Sequence, residues 1–205
     1  MTITPSAMLP LGTSLPTFAL MQVNRTGLEE APRVIRDSDL PLQPILLMEL
    51  CAHCPFVKHV EIELTRLYQD YSKQVQFLAV CSNSIETHPQ DAPEYLAKQA
   101  QQNGWSFPYL LDSDQKLARA LQAACTPDFF LFNPNNKDNC QRLCYRGQLD
   151  DSRPGNLQNL TGADLRYALD SVLADTEICI DQKPSIGCNI KWHPGREPSW
   201  FSKNF

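Results

Sequence analysis

The stretch Ile45-Leu46-Leu47-Met48-Glu49-Leu50-Cys51-Ala52-His53-Cys54-Pro55 decides how this chain reads. Its first six residues are an apolar run of strand length, suited to a strand covered on both faces. Pro55 suits the first turn of a helix, where its missing N–H costs nothing. Beyond it, Val57, Val60, Leu64, Leu67 and Tyr71 recur at steps of three and four, which places them on one helical face. A Cys-x-x-Cys pair therefore falls where a buried strand gives way to a helix. Cys51 is expected at the helix N-terminus, where the dipole and free N–H groups favour a thiolate. That thiolate is the nucleophile of disulfide exchange. Cys54, one turn on, is placed to resolve the mixed disulfide. A protonated His53 is expected to stabilise the Cys51 thiolate and make the pair more oxidising. Glu49 has the even spacing that shares a strand face with Cys51. It reads equally as a proton acceptor for the pair or as a solvated charge at the strand end.

Outward from this stretch, Leu15 to Leu20 and Arg33 to Ile35 suggest a hairpin around Asn24 to Gly27. Val75 to Cys81 reads as a second buried strand. Ala92 to Asn103 is a helix closed by Gly104, and Phe107 to Leu111 a short strand. Asp112 or Ser113 is the expected cap of a helix through Leu117 and Leu121. Phe129 to Phe132 and Arg142 to Gly147 follow as strands joined by the turn Asn135 to Asn139. Thr161 with Asp164 reads as a capping pair for a last helix carrying Leu165, Ala168, Leu169 and Val172. The order gives an α/β protein with a mixed sheet and helices on both faces. One domain over residues 1–175 is expected, with an irregular tail over 176–205 packing onto it.

The 205 residues are 42% hydrophobic and 20% charged, enough apolar material for a sizeable core. A net charge of −5 offers no nucleic-acid or membrane-surface footprint. Prolines at positions 5, 10 and 16 interrupt the N-terminus, so it does not read as a secretory signal. No run is long enough to span a bilayer. A cytoplasmic location is expected. In such a compartment the closely spaced members of the eight cysteines are more often catalytic or metal-binding than structural.

Several stretches resemble the thioredoxin-like superfamily, in the branch related to alkyl-hydroperoxide-reductase and thiol-specific-antioxidant proteins. Leu11 to Phe18 looks like that branch's N-terminal extension, and Cys51 to His59 like its active-site segment. Ala124-Cys125-Thr126-Pro127-Asp128 to Phe132 looks like its cis-proline loop and following strand. Tyr145 to Pro154 and Pro184 to Trp192 also match. The resemblance implies a thioredoxin-like fold with an N-terminal hairpin extension. It implies a disulfide exchanger acting on a protein or small-molecule disulfide and recharged by a dithiol such as the thioredoxin or glutathione system, without metal or organic cofactor. It also implies that Thr126 and cis-Pro127 face the cysteines and offer backbone groups to an extended substrate.

The chain departs from that pattern in three places. Leu50 stands where thioredoxins commonly have Trp, and Ile45 where they bury an Asp. Met48 stands where the Pro-x-x-x-Thr-x-x-Cys signature of the peroxidases, here counted from Pro44, has its threonine. A thiol peroxidase is therefore the second reading. A copper or zinc carrier using Cys51, Cys54 and His53 or His59 is the third, and a redox-inert scaffold the fourth. Cys125 and Cys188 are candidates for additional redox thiols, weighed against roles as buried small hydrophobes.

Overall fold

The computed structural model describes residues 3–24, 33–135, 140–178 and 181–201. Its elements are β1 (Ile3–Pro5), β2 (Ala19–Gln22), β3 (Val34–Arg36), β4 (Ile45–Glu49), α1 (Pro55–Tyr71), β5 (Gln76–Cys81), α2 (Pro93–Asn103), β6 (Tyr109–Leu111), α3 (Lys116–Leu121), β7 (Cys125–Thr126), β8 (Asp128–Pro134), β9 (Gln141–Gly147), α4 (Ala163–Leu173) and β10 (Ile186–Asn189).

Seven strands form one mixed sheet in the order β3-β2-β6-β5-β4-β8-β9. β4 is central, parallel to β5 and antiparallel to β8. It is buried throughout, Glu49 included, because both faces are covered. Leu46 and Met48 pack with Val57, Val60, Leu64 and Leu67 of α1, Leu96 of α2 and Leu165 and Leu169 of α4. Ile45 and Leu47 point the other way, toward Leu117 and Leu121 of α3 and toward Ile190 and Trp192 of the tail.

The N-terminal strands pair as a hairpin, Leu20 opposite Ile35. Its first strand begins at Ala19 rather than Leu15, because the Phe18 N–H turns to the Asp37 carboxylate and Leu15 bonds the Gln141 carbonyl. Of the proposed turn at Asn24 to Gly27, residues 25–27 lie outside the described residues, as do residues 136–139 of the second turn.

Two expected caps differ. α3 starts one turn later than a direct Asp112 or Ser113 cap requires, with Gln115 left-handed at its N-cap (φ 59°). Asp112 still serves the helix, accepting from the N–H groups of Leu117 at 3.3 Å and Ala118 at 2.9 Å. Thr161 and Asp164 make no capping pair. Left-handed Gly162 (φ 66°) starts α4, Asp150 accepts the N–H groups of Thr161 and Gly162, and Asp164 accepts from Gln148.

The tail is not irregular throughout. Its β10 is the middle strand of a second sheet, β1-β10-β7. Among the described residues no helix is long and apolar enough to cross a membrane.

Candidate functional site

The hydrogen-bonded register of β4 ends at Glu49, although the Leu50 N–H still reaches the Val80 carbonyl at 2.8 Å. Strand alternation then stops. Leu50 and Cys51 both pack on the α1 side of the sheet. The even-spacing argument for Glu49 therefore fails. Its carboxylate lies 3.1 and 3.2 Å from Ser82 Oγ, which also lies 2.9 Å from Asp112. Burial, then the Asp112 charge, pushes the Glu49 pKa well up. Glu49 is neither solvated nor a hydrogen-bond partner of the thiols among the described residues.

Cys51 and Cys54 are both fully buried. The N-cap of α1 is Cys54, with Pro55 at the first helical position. The helix terminus thus belongs to the second cysteine, not the first as the spacing suggests. Thr126-Pro127 is a cis peptide bond, and it faces the pair. Cys51 Sγ lies 3.3 Å from the Thr126 hydroxyl, and Cys54 Sγ 3.2 Å from the Thr126 carbonyl oxygen. Cys188 Sγ lies 2.6 Å from Cys54 Sγ. Hydrogen bonds from the Cys188 and Cys51 thiols, with one from the Val57 backbone, hold Cys54 well below the usual thiol range. Cys51 moves the other way, raised by burial, by its bond to Cys54 and by the charge of Asp91. Cys188 is likewise raised by its bond to Cys54.

Asp91 is the site residue that sequence reasoning missed. It ends a short 3-10 turn, Pro89–Asp91, ahead of α2. Its buried carboxylate accepts the N–H groups of Ala52 at 2.8 Å and His53 at 3.2 Å. It also bonds His53 Nδ1 at 2.6 Å and Asn83 Nδ2 at 2.8 Å. Burial pushes its pKa up, but the bonds from His53 and Asn83 prevail and hold it low. His53 therefore spends its inner nitrogen on Asp91 rather than on Cys51, and its ring stacks on His88 with centroids 5.4 Å apart. The Asp91 charge opposes a Cys51 thiolate, so the expectation that His53 makes the couple more oxidising has no direct bond behind it. Nothing in the local sequence could reveal Asp91, because 38 residues separate it from His53.

Donor atoms of Cys51, His53 and Asp91 lie within 4.8 Å of one another. Both Asp91 oxygens and His53 Nδ1 are already engaged in that network, and His59 Nε2 bonds Ser152 at 2.8 Å. Cys125 directs its sulfur to the Pro127 carbonyl at 3.7 Å, and burial raises its pKa strongly.

Asp128 follows the cis-proline and is fully buried beside Glu49 across the β4–β8 ladder. Ser6 Oγ donates to its Oδ1 at 2.6 Å, while Oδ2 has no partner among the described residues. Burial pushes its pKa up to about 7. The folded value exceeds the unfolded value of about 3.9, so this group favours folding fully below pH 4 and loses that contribution as pH rises to 7. The loss is on the order of 4 kcal/mol at most. Urea midpoints of the wild type are expected to fall more across that window than those of Asp128→Asn; parallel profiles would contradict the shifted acid.

A cleft beside the cis-proline is lined by Phe56, His59, Pro127, Ser152, Arg153 and Ile186. Thr126, whose backbone the resemblance offers to an extended substrate, is instead paired with Cys188 of β10.

A mixed sheet flanked by helices, with two cysteines before a helix and a cis-proline against them, is a thioredoxin-like fold. The chain belongs to the AhpC/TSA family, whose family model matches residues 11–137. Among solved structures it is similar to an uncharacterized conserved protein of Geobacillus kaustophilus, at 46% identity and a TM-score of 0.86, covering 95% of this chain and 98% of that one. It is also similar to a hypothetical protein of Sinorhizobium meliloti 1021, at 36% identity and a TM-score of 0.85, covering 94% and 100%. The secreted Mycobacterium tuberculosis disulfide oxidoreductase homologous to E. coli DsbE shares the fold at 12% identity and a TM-score of 0.54, covering 75% and 95%. No curated protein matches the chain.

Proposed function

We propose that this chain is a thiol–disulfide oxidoreductase working through the Cys51–Cys54 couple. The observation that carries the reading is a pair of buried cysteines, the second at a helix N-cap, each within hydrogen-bond distance of Thr126 at its cis bond to Pro127. Cys51 attacks one sulfur of the substrate disulfide. As the bond forms, its proton passes to the other substrate sulfur, which leaves as a thiol. Cys54 then attacks the Cys51 sulfur of the mixed disulfide. Its proton goes to the departing substrate sulfur, leaving Cys51–Cys54 as a disulfide and the substrate as two thiols. Two electrons have moved, and a dithiol of the thioredoxin or glutathione type restores the starting state.

The chemistry uses side chains alone, with no metal or organic cofactor. The substrate is a protein or small-molecule disulfide that reaches Cys51 past Ala52 and His53, which are part-exposed. The cleft at Pro127 supplies a further contact surface. A reducing compartment such as the cytoplasm fits eight cysteines in a chain with a full-sized core.

Thiol peroxidase activity is the second reading, favoured by the family match and by the Thr126 hydroxyl beside Cys51. Against it stands Met48, fully buried where the peroxide-orienting threonine would be.

Insulin-disulfide reduction driven by a small dithiol tests the first reading. Cys51→Ser is expected to fall to the uncatalysed rate, and Cys54→Ser to accumulate a mixed disulfide on Cys51. Retained turnover in Cys51→Ser overturns the assignment. Peroxide consumption faster than insulin reduction would move the second reading to first place.

A further inference from the structure

We propose that Cys188 is a third redox thiol, and that the disulfide produced by one turnover comes to rest on Cys54–Cys188. This rests on the disulfide-exchange reading above. A lone buried cysteine is usually a small hydrophobe. Cys188 differs because its sulfur lies 2.6 Å from that of Cys54, well inside ordinary sulfur–sulfur packing contact. Cys54 therefore has a thiol neighbour on each side, Cys51 and Cys188.

The tail holds this third sulfur firmly. β10 pairs with β7 on one edge, Cys188 opposite Thr126, and with β1 on the other, Cys188 opposite Ile3. Close approach to the cis-proline loop depends on Gly187. A Cβ there would stand 2.0 Å from the Thr126 carbonyl oxygen. Beyond the strand, Lys191 N–H donates to Asn83 Oδ1 at 2.8 Å, and Gln115 Nε2 donates to the Lys191 carbonyl at 3.0 Å. Ile190 and Trp192 are buried in the core on the α3 side. The strand is thus a fixed part of the site and not a loose lid. Asn83 ties it to the same loop as Asp91, so both walls of the dithiol share one network.

The relay step is an exchange without net oxidation. In the oxidised chain the Cys188 sulfur attacks Cys54. The Cys51–Cys54 bond breaks as the Cys54–Cys188 bond forms, and the Cys188 proton passes to Cys51. Cys51 is returned as a thiol, and the reductant must then open a bond lying under β10. Cys125, which points at its own loop, takes no part.

The test starts from fully reduced protein and one equivalent of dipyridyl disulfide. Acid quenching, alkylation of the remaining thiols and peptide mass spectrometry follow. In the wild type, Cys54 and Cys188 are expected in one linked peptide pair, with Cys51 and Cys125 alkylated. In Cys188→Ser the link is expected to stay on Cys51–Cys54. A Cys51–Cys54 link with Cys188 alkylated in the wild type, or no internal disulfide in Cys188→Ser, overturns the relay. In the first of those outcomes the exchange reading survives. If the wild type releases no thiopyridone and forms no internal disulfide, both fail.

Discussion

Gly187→Ala is expected to unseat β10 and to cost the protein both stability and its placed third thiol. The glycine has no left-handed conformation to preserve; what it provides is space. A methyl group on it would lie 2.0 Å from the Thr126 carbonyl oxygen, 2.6 Å from the carbonyl carbon and 3.2 Å from the Pro127 nitrogen. All three are backbone atoms, so no side chain can swing aside. Either the β7–β10 pairing opens or the cis-proline loop moves. Overpacking of this kind costs about 3 kcal/mol, roughly a 6 to 12 °C lower Tm for a chain of this size. The chemical consequence has a definite sign. The largest influence lowering the Cys54 pKa is the Cys188 thiol bonded to it. Withdrawing Cys188 raises that pKa, and the pH profile of Cys54 alkylation moves to higher pH. Wild-type melting and an unmoved alkylation profile in Gly187→Ala would show that β10 tolerates the added carbon.

The second large effect is expected at Asp91. Asp91→Ala removes the acceptor for four donors: the Ala52 and His53 N–H groups, His53 Nδ1 and Asn83 Nδ2. Each buried group left unpaired costs about 1 to 3 kcal/mol. Water reaches part of the gap through His53, whose side chain is 20% exposed, so a net loss of about 3 kcal/mol is expected. Asp91→Asn separates shape from charge. It keeps an oxygen for the two backbone N–H groups and drops the negative charge that raises Cys51. Cys51 in Asp91→Asn is therefore expected to alkylate faster than the wild type at neutral pH. The Asp91 pKa is depressed in the folded chain, so its contribution is present above the unfolded value of about 4 and lost as pH falls through the folded one. Wild type and Asp91→Asn should converge in stability in acid. A slower Cys51 in Asp91→Asn would mean that the orientation of His53 outweighs the charge of Asp91.

The joint at Cys51 to Pro55 was legible because both of its neighbours advertise themselves. A run ahead of Cys51 that is apolar except for Glu49 needs cover on two faces, and the spacing of Val57, Val60, Leu64 and Leu67 fits one helical face. The resemblance marked Thr126-Pro127, and the bond is cis. The errors cluster where local rules stop. Glu49 follows strand periodicity, but the sheet ends there and Cys51 no longer alternates with it. Pro55 opens α1 as its ring predicts, but the N-cap next to it is Cys54, so Cys51 stands three residues ahead of the helix terminus expected for it. Thr161 with Asp164 has the pattern of a capping pair, but Asp150 had already taken the free N–H groups.

What the sequence by itself determined is the identity and local setting of the Cys51–Cys54 pair, because hydrophobic periodicity and proline act on near neighbours. Tertiary structure alone decided which groups surround each sulfur and in which direction they shift its pKa. Asp91, Thr126 and Cys188 reach the pair across 38, 72 and 134 residues of chain. Charge and hydrogen bonding depend on distance through space, and only the folded sheet sets those distances.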